Sequence, residues 1–359
     1  MEVRKEAHVL GGLAAHGASV LPAVRVDDYN AEMRDKDGFL GDRASKRAFQ
    51  AILDDWRERL QRLEADPLGK TPSDKINKKT LEKMLNSEDI EAAGLIHGAI
   101  EEFAKEFFTV ICRFLRIKSW KDTQRIVVGG GFREGRIGEL VVGRTAVMLK
   151  ADGHDIDLIP IRHHPDEAGI LGAAHLAPAW VFAGHSGIVG IDIGGTNIRA
   201  GIIELATKKK PDLSDTKIWR SELWRHADEE TTRDKAIDRL GAMVNGLVTR
   251  AQKEGFRLAP FIGVGCPGII EEDGSIERGA QNLPGNWESS KFNLADALRQ
   301  RVPTIGDNQT AIVIHNDAVV QGLSQLPFMR DVEHWGVLTI GTGLGNARFT
   351  NIATAEAEK

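Results

Sequence analysis

Ile188-Val189-Gly190-Ile191-Asp192-Ile193-Gly194-Gly195-Thr196-Asn197, continued by Ile198-Arg199-Ala200-Gly201-Ile202-Ile203, is the stretch on which the reading of this chain turns. An apolar run delivers one carboxylate near its end, two glycines follow, and a second apolar run returns. The pattern predicts two strands, 188–192 and 197–204, joined by a turn at 193–196. Glycines let the backbone turn tightly and approach a bulky anion. The N–H groups of such a turn can hydrogen-bond phosphate oxygens. Thr196 can add a hydroxyl, and Asp192 can hold a hydrated Mg²⁺.

A second stretch repeats this logic. Gly341-Thr342-Gly343-Leu344-Gly345 follows an apolar run at 337–340. If a helix or turn opens there, its N–H groups make a second phosphate clamp. Taken alone, either turn reads equally well as a hairpin in a structural sheet; the pair, each after an apolar strand, weighs against that. Neither has the Gly-Lys-Ser/Thr of a P-loop or the third glycine and downstream acid of a dinucleotide fingerprint. Between them lies Ile314-His315-Asn316-Asp317-Ala318, followed by a helical run toward Leu326. An Asp beside an Asn at a strand-to-helix junction can accept a proton from a substrate hydroxyl, while the amide orients the substrate. The plain alternative is that Asp317 caps the helix.

Around these motifs the two halves differ. Residues 43–118 carry helical periodicity, with Ala48, Ile52, Leu53, Trp56 and Leu60 on one stripe and Arg57, Glu58 and Arg59 turned outward. Residues 64–73, with two prolines and a glycine, read as a loop, and 90–114 as a long buried helix that takes Cys112 into the core. A short strand at 125–128 opens into Gly129-Gly130-Gly131. From 186 onward strands alternate with helices (230–251 and 294–301), which indicates an α/β fold, with residues 178–187 as the joint between halves. The charged turn Lys208-Lys209-Lys210-Pro211 reads as solvated surface. A net charge of -5 over 359 residues argues against general nucleic-acid binding. Two distant cysteines, Cys112 and Cys266, can build neither a disulfide framework nor a Cys-rich zinc site, and a reducing compartment fits. The charged first residues do not resemble a signal peptide, and no run is long enough to span a bilayer, so a cytoplasmic protein without a membrane partner is expected. His154, His163 and His164 fit no tetrahedral ligand spacing and read as a solvated loop.

The run 188–203, Gly263-Val264-Gly265-Cys266-Pro267-Gly268 with Asn282-Leu283-Pro284, Asn316-Asp317-Ala318, and 341–345 together resemble the successive motifs of the ROK family. That family comprises bacterial repressors, open reading frames and sugar kinases of the actin-like ATPase (ribonuclease H-like) bilobal fold. The resemblance implies an ATP-dependent sugar kinase using Mg²⁺, with Asp192, Gly194, Gly195 and Thr196 as the first phosphate motif and Asp192 at the metal. It implies that Gly341, Thr342 and Gly343 form the second phosphate motif, that Gly268, Asn282 and Asn316 lie on the sugar side, and that Asp317 is the catalytic base.

In the family the adenosine-side glycines and a closing helix come last. Here Gly129, Gly130 and Gly131, and the run 166–174, resemble those pieces yet precede Asp192. Circular permutation accounts for this order; completion of the lobe by a swapped neighbour is the rival. The expected division is a helix-rich adenosine-side lobe at 1–186, completed by 327–359, and a phosphate and sugar lobe at 187–326, in a homodimer. The family's His-Glu-x-Gly-His segment, its Cys-rich zinc motif and two sugar contacts are missing. A non-catalytic sugar or nucleotide sensor on the same fold therefore stands as the alternative. No helix-turn-helix pattern precedes the motifs, which argues against the repressor branch.

Overall fold

A computed structural model of the protein describes residues 12–36, 38–207 and 209–352. Lys208 of the charged turn and the first eleven residues lie outside them. The main strands, in chain order, are β1 (Val24–Tyr29), β2 (Arg125–Gly129), β3 (Asp157–Pro160), β4 (Gly187–Ile193), β5 (Ile198–Glu204), β6 (Lys217–Trp224), β7 (Leu258–Cys266), β8 (Ala311–Asn316), β9 (His334–Ile340) and β10 (Leu344–Asn351). The helices are α1 (Lys46–Gln61), α2 (Lys78–Leu85), α3 (Ile90–Phe114), α4 (Gly135–Ala151), α5 (Pro165–Gly172), α6 (Arg233–Lys253), α7 (Leu294–Arg301) and α8 (Asp317–Leu323). None of the described helices is long and apolar enough to cross a membrane.

The first sheet has the order β8-β7-β4-β5-β6. The hairpin read from the sequence is its centre: β4 and β5 pair antiparallel from Gly187↔Glu204 to Ile193↔Ile198. β6 continues the meander antiparallel to β5, while β7 and β8 extend the other side in parallel with β4. The second sheet has the order β1-β10-β9-β2-β3 and the same plan. β9 is central, its hairpin partner β10 leads to antiparallel β1, and β2 and β3 follow in parallel on the other side. This is the doubled ribonuclease H-like α/β arrangement of the actin-like ATPase fold. In the first sheet the parallel strands follow the meander in the chain. In the second, β1, β2 and β3 come from the N-terminal half of the same chain, which is what a permuted motif order requires.

The chain divides into two compact units. One contains the stretch ending at Asn30, Asp166–Glu333 and the stretch from Ala347; the other contains Ala31–Pro165 and His334–Asn346. These bounds differ from the expected division: residues 166–186 fall in the unit of the first sheet, and Val181 and Phe182, in a short 3₁₀ turn within 178–187, are buried.

In the first unit one sheet face packs Val189, Ile191, Ala200, Ile202 and Ile262 against α6 and α7, including Leu240, Val244, Leu247 and Leu298. The other face is covered by the α5 segment over glycines. A Cβ on Gly190 would stand 2.6 Å from the Ile170 carbonyl oxygen, and one on Gly263 2.3 Å from that of Ala173. In the second unit α3 supplies the core. Asp89 caps its N-terminus, accepting from the N–H groups of Glu91 and Ala92. Phe103, Phe107 and Phe114 on its inner face are fully buried, each such burial contributing roughly 1.5–3 kcal/mol. Arg57 departs from the outward placement expected for it. It is buried and ion-pairs with Asp66 at 3.0 Å, and it donates to Ser73 Oγ and the Gly69 carbonyl, both at 2.8 Å. The 64–73 loop is thus held by a guanidinium whose donors are satisfied, as a buried charge requires.

Gly172→Ala would drive its methyl to 1.7 Å from the Val320 carbonyl oxygen. It should lower the midpoint of urea denaturation, at a cost of roughly 1–3 kcal/mol or more. Gly143→Ala is the contrast: the site is mid-helix and a Cβ there meets nothing within 4 Å. It should raise stability by about 0.5–1 kcal/mol in the same measurement.

Candidate active site

β4, β7 and β8 are parallel neighbours, so their C-terminal ends lie together, the usual place for a ligand crevice in an α/β sheet. Asp192 stands beside Gly265, which stands beside His315, and Cys266 pairs with Asn316. Asp317 is the first residue of α8. Gly265 allows this helix start to come in over the sheet: a Cβ there would be 3.5 Å from the Asp317 Cα and 3.2 Å from the Val320 Cβ. Asp192 is buried and Asp317 half-buried, near the ends of strands two places apart.

Their surroundings set their protonation. Burial pushes the Asp317 carboxyl up to about 7, and the charge of Asp192 adds to the rise; the Ala318 N–H, donating at 2.9 Å, opposes it. Asp192 is also raised by burial, against the pull of the Arg199 guanidinium, which donates to Asp192 Oδ2 at 3.4 Å. A helix lies directly on this carboxylate: a Cβ on Gly169 of α5 would be 2.4 Å from Asp192 Cγ. Asp166, at the start of α5, takes the other arm of Arg199.

The Asn316–Asp317 corner is fully braced. Asn316, and not Asp317, is the helix cap: its Oδ1 accepts from the N–H groups of Ala318 and Val319 at 3.0 and 3.3 Å. Its Nδ2 donates to the Gly268 carbonyl at 3.0 Å. Gly268, at φ 100°, adopts a backbone only glycine takes readily. His315 is buried beneath the corner. Its Nδ1 accepts from the Asn316 N–H at 2.8 Å and its Nε2 donates to the Ala18 carbonyl at 3.1 Å, so the ring is the neutral Nε2–H tautomer. Burial lowers it to about 4, in keeping with that state. Cys266 is fully buried, and burial pushes its thiol well up, which marks it as an inert packed residue.

At the 193–197 turn the Gly194 N–H donates to the Asn197 carbonyl at 2.8 Å, and the Gly194 carbonyl lies 2.8 Å from His226 Nε2. Gly195 approaches Asn282, which is exposed; a Cβ there would be 3.2 Å from the Asn282 Cβ. Asp192, Gly194, Gly195, Thr196, Gly268, Asn282, Asn316 and Asp317 all fall in the first unit.

Gly129, Gly130, Gly131, Gly341, Thr342 and Gly343 fall in the second unit, where the fold brings their two turns together. Thr339 pairs with Gly129, and a Cβ on Gly130 (φ 82°) would be 2.3 Å from the Ile340 carbonyl oxygen. The Lys46 N–H at the start of α1 donates to the Gly341 carbonyl at 2.9 Å. Gly131 and Gly343 contrast with Gly130. A Cβ on either would meet nothing within 4 Å, and neither has positive φ. Packing and conformation do not demand glycine there, so open space is what these two positions preserve.

Residues 188–356 match the ROK family model. That segment, a little less than half of the chain, is similar to the ROK family. A glucokinase of Thermotoga maritima is 27% identical over 166 residues, covering 46% of this chain and 44% of that protein. A ROK hexokinase structure from Thermus thermophilus aligns at 20% identity with a TM-score of 0.30, over 45% of each chain. The chain thus spans less than half the length of the relatives it matches.

Four participants in this site escape a reading of motifs. Arg199 could have been found from the hairpin, since a four-residue turn places it opposite Asp192. Gly169 and Asp166 could not, because only packing of α5 brings them there. His315 reads as one more strand residue until the contact with Ala18 is seen.

Asp317 gives this site a pH signature. Its folded value, about 7, lies above the ordinary 3.8, so the folded chain holds a proton that the unfolded chain releases. Asp317 therefore weakens the fold as pH rises from 3.8 to about 7. Asp317→Asn should be more stable than the parent above that range. The advantage should fade as pH falls toward 4, by chemical denaturation at a series of pH values.

Proposed function

We propose that this chain catalyses ATP-dependent phosphorylation of a sugar hydroxyl, with Asp317 as general base. The observation that carries the reading is a half-buried carboxylate at a strand-to-helix junction, raised to about 7 by desolvation and by a second carboxylate. A base poised near neutral pH is what removal of a hydroxyl proton requires. In the proposed step the substrate hydroxyl oxygen attacks the γ-phosphorus of ATP and its proton passes to the Asp317 carboxylate. The bond from that phosphorus to the bridging oxygen breaks, and ADP leaves. The names of the two relatives, a glucokinase and a hexokinase, agree with a sugar as acceptor.

The remaining roles follow the motifs. The N–H groups and Thr196 hydroxyl of the 193–197 turn are assigned to phosphate oxygens, as is the turn of Gly341, Thr342 and Gly343. Gly129, Gly130 and Gly131 are assigned to the adenosine side. Asn282 and the Gly268 turn are assigned to the sugar, whereas the Asn316 side chain, spent on the cap and on Gly268, positions Asp317. The donor fits Mg²⁺: Asp192 is a hard oxygen ligand whose ionisation burial disfavours, a cost that a bound cation would offset. Bound Mg²⁺ would neutralise charge on the transferring phosphoryl group.

One observation favours the non-catalytic sensor. Arg199 already supplies a cation to Asp192, the expected metal ligand. Calorimetry with ATP–Mg²⁺ and a panel of hexoses, run beside a coupled ADP assay, separates the two; binding with no ADP release selects the sensor. Under the kinase reading, Asp317→Asn should keep ATP affinity and lose turnover by about a hundredfold or more. An undiminished rate in that variant would remove Asp317 from the mechanism.

A further inference from the structure

Outside these motifs, helix α4 ends in a turn that points two ligand-type side chains at a third. Asp152 is the C-cap of α4, and Gly153 follows at φ 84°. The His154 N–H then donates to the Leu149 carbonyl at 2.9 Å and the Gly153 N–H to that of Lys150 at 3.1 Å, closing a Schellman-type end. The turn sets Asp152 and His154 on the two sides of a glycine. Cys112, in the last turn of α3, faces them. His154 Nε2 lies 3.6 Å from Cys112 Sγ and 3.3 Å from Asp152 Oδ2. One ligand atom from each of the three residues lies within 4.8 Å of the others.

These separations can be compared with what a metal would impose. Zinc bonds of about 2.3 Å to sulfur and about 2.0–2.1 Å to nitrogen and oxygen, at tetrahedral angles, give edges of about 3.6 Å for S···N and about 3.3 Å for N···O. Both edges are already present in this structure. We propose that Cys112, Asp152 and His154 form a zinc-class metal site, three protein ligands with the fourth position left to water, tying the end of α3 to the end of α4. Thiolate, imidazole and carboxylate together suit Zn²⁺ or Co²⁺ better than Mg²⁺ or Ca²⁺. Side-chain exposure of 61% at Asp152 and 33% at His154 leaves the site open to solvent for metal entry and for the water ligand.

The same trio could be read as an activated cysteine with its base. The thiol argues otherwise: burial and the charge of Asp152 push it up, against a smaller pull from Arg116, so no thiolate is prepared. A coordinating metal supplies what is missing, because it takes the sulfur as thiolate and the proton leaves to solvent. The site owes nothing to the kinase reading, since none of its residues belongs to the motifs.

The test is a titration of metal-free full-length protein with Co²⁺, then displacement by Zn²⁺. The expected result is one Co²⁺ per chain with a near-ultraviolet thiolate-to-cobalt band and visible bands of tetrahedral strength, all bleached by Zn²⁺. Cys112→Ser should abolish the thiolate band, and His154→Ala should weaken binding by about tenfold or more. Cys266→Ser should change neither, and circular dichroism should show each variant folded. Asp152→Asn, an exposed and conservative change, should weaken binding without affecting the fold. Absence of the thiolate band in the parent, or its survival in a folded Cys112→Ser variant, overturns the proposal.

Discussion

Where Gly263 lacks a side chain, the Ala173 carbonyl oxygen sits 2.3 Å from the place a Cβ would take, and at Gly190 the Ile170 carbonyl does the same at 2.6 Å. The segment after α5 therefore lies on the first sheet at backbone distance. Gly172 in turn admits the Val320 carbonyl of α8, and Gly265 admits Val320 and Asp317. Three layers of backbone are drawn together by positions that carry no side chain. The density of a protein interior leaves little room for alternatives at such a contact. Everything at the strand ends follows from it: α5 can reach Asp192, and α8 can place Asp317 over β7.

The electrostatics of the site are a consequence of that closeness. Two carboxylates are taken out of water in one region, and a single guanidinium, Arg199, is shared between Asp192 and Asp166. Asp192 receives most of the available compensation, while Asp317 has only backbone N–H groups. The two acids accordingly differ in environment, one partnered by a cation and the other poised near neutrality. Different surroundings for paired acids are a common route to different chemical roles. Around Asp317 the polar groups form a closed chain: Ala18 to His315, His315 to Asn316, and Asn316 to the helix end and to Gly268. Such a chain holds one side chain in place without contacting what it acts on.

The second sheet shows that strand pairing is indifferent to the order in which the chain supplies strands. β9 finds β2 in parallel register from Trp335↔Arg125 to Thr339↔Gly129, although β2 comes some two hundred residues earlier. The strand order has the same plan as that of the first sheet. A neighbouring chain is not needed to supply these strands.

The sequence by itself determined the local chemistry. Apolar runs of strand length, a glycine turn after Asp192, a long helix at 90–114 and a strand-to-helix junction at Asp317 were legible because periodicity and turn chemistry act within a few residues. Four sites were settled only by tertiary structure. Asn316 took the cap that Asp317 could have had. Arg57 turned inward to hold the 64–73 loop. Residues 166–186 joined the first sheet, and Cys112 met His154 across 42 positions. Each of these depends on which distant surface a segment packs against, and a buried charge or cap is placed by the partners that packing brings within hydrogen-bond reach.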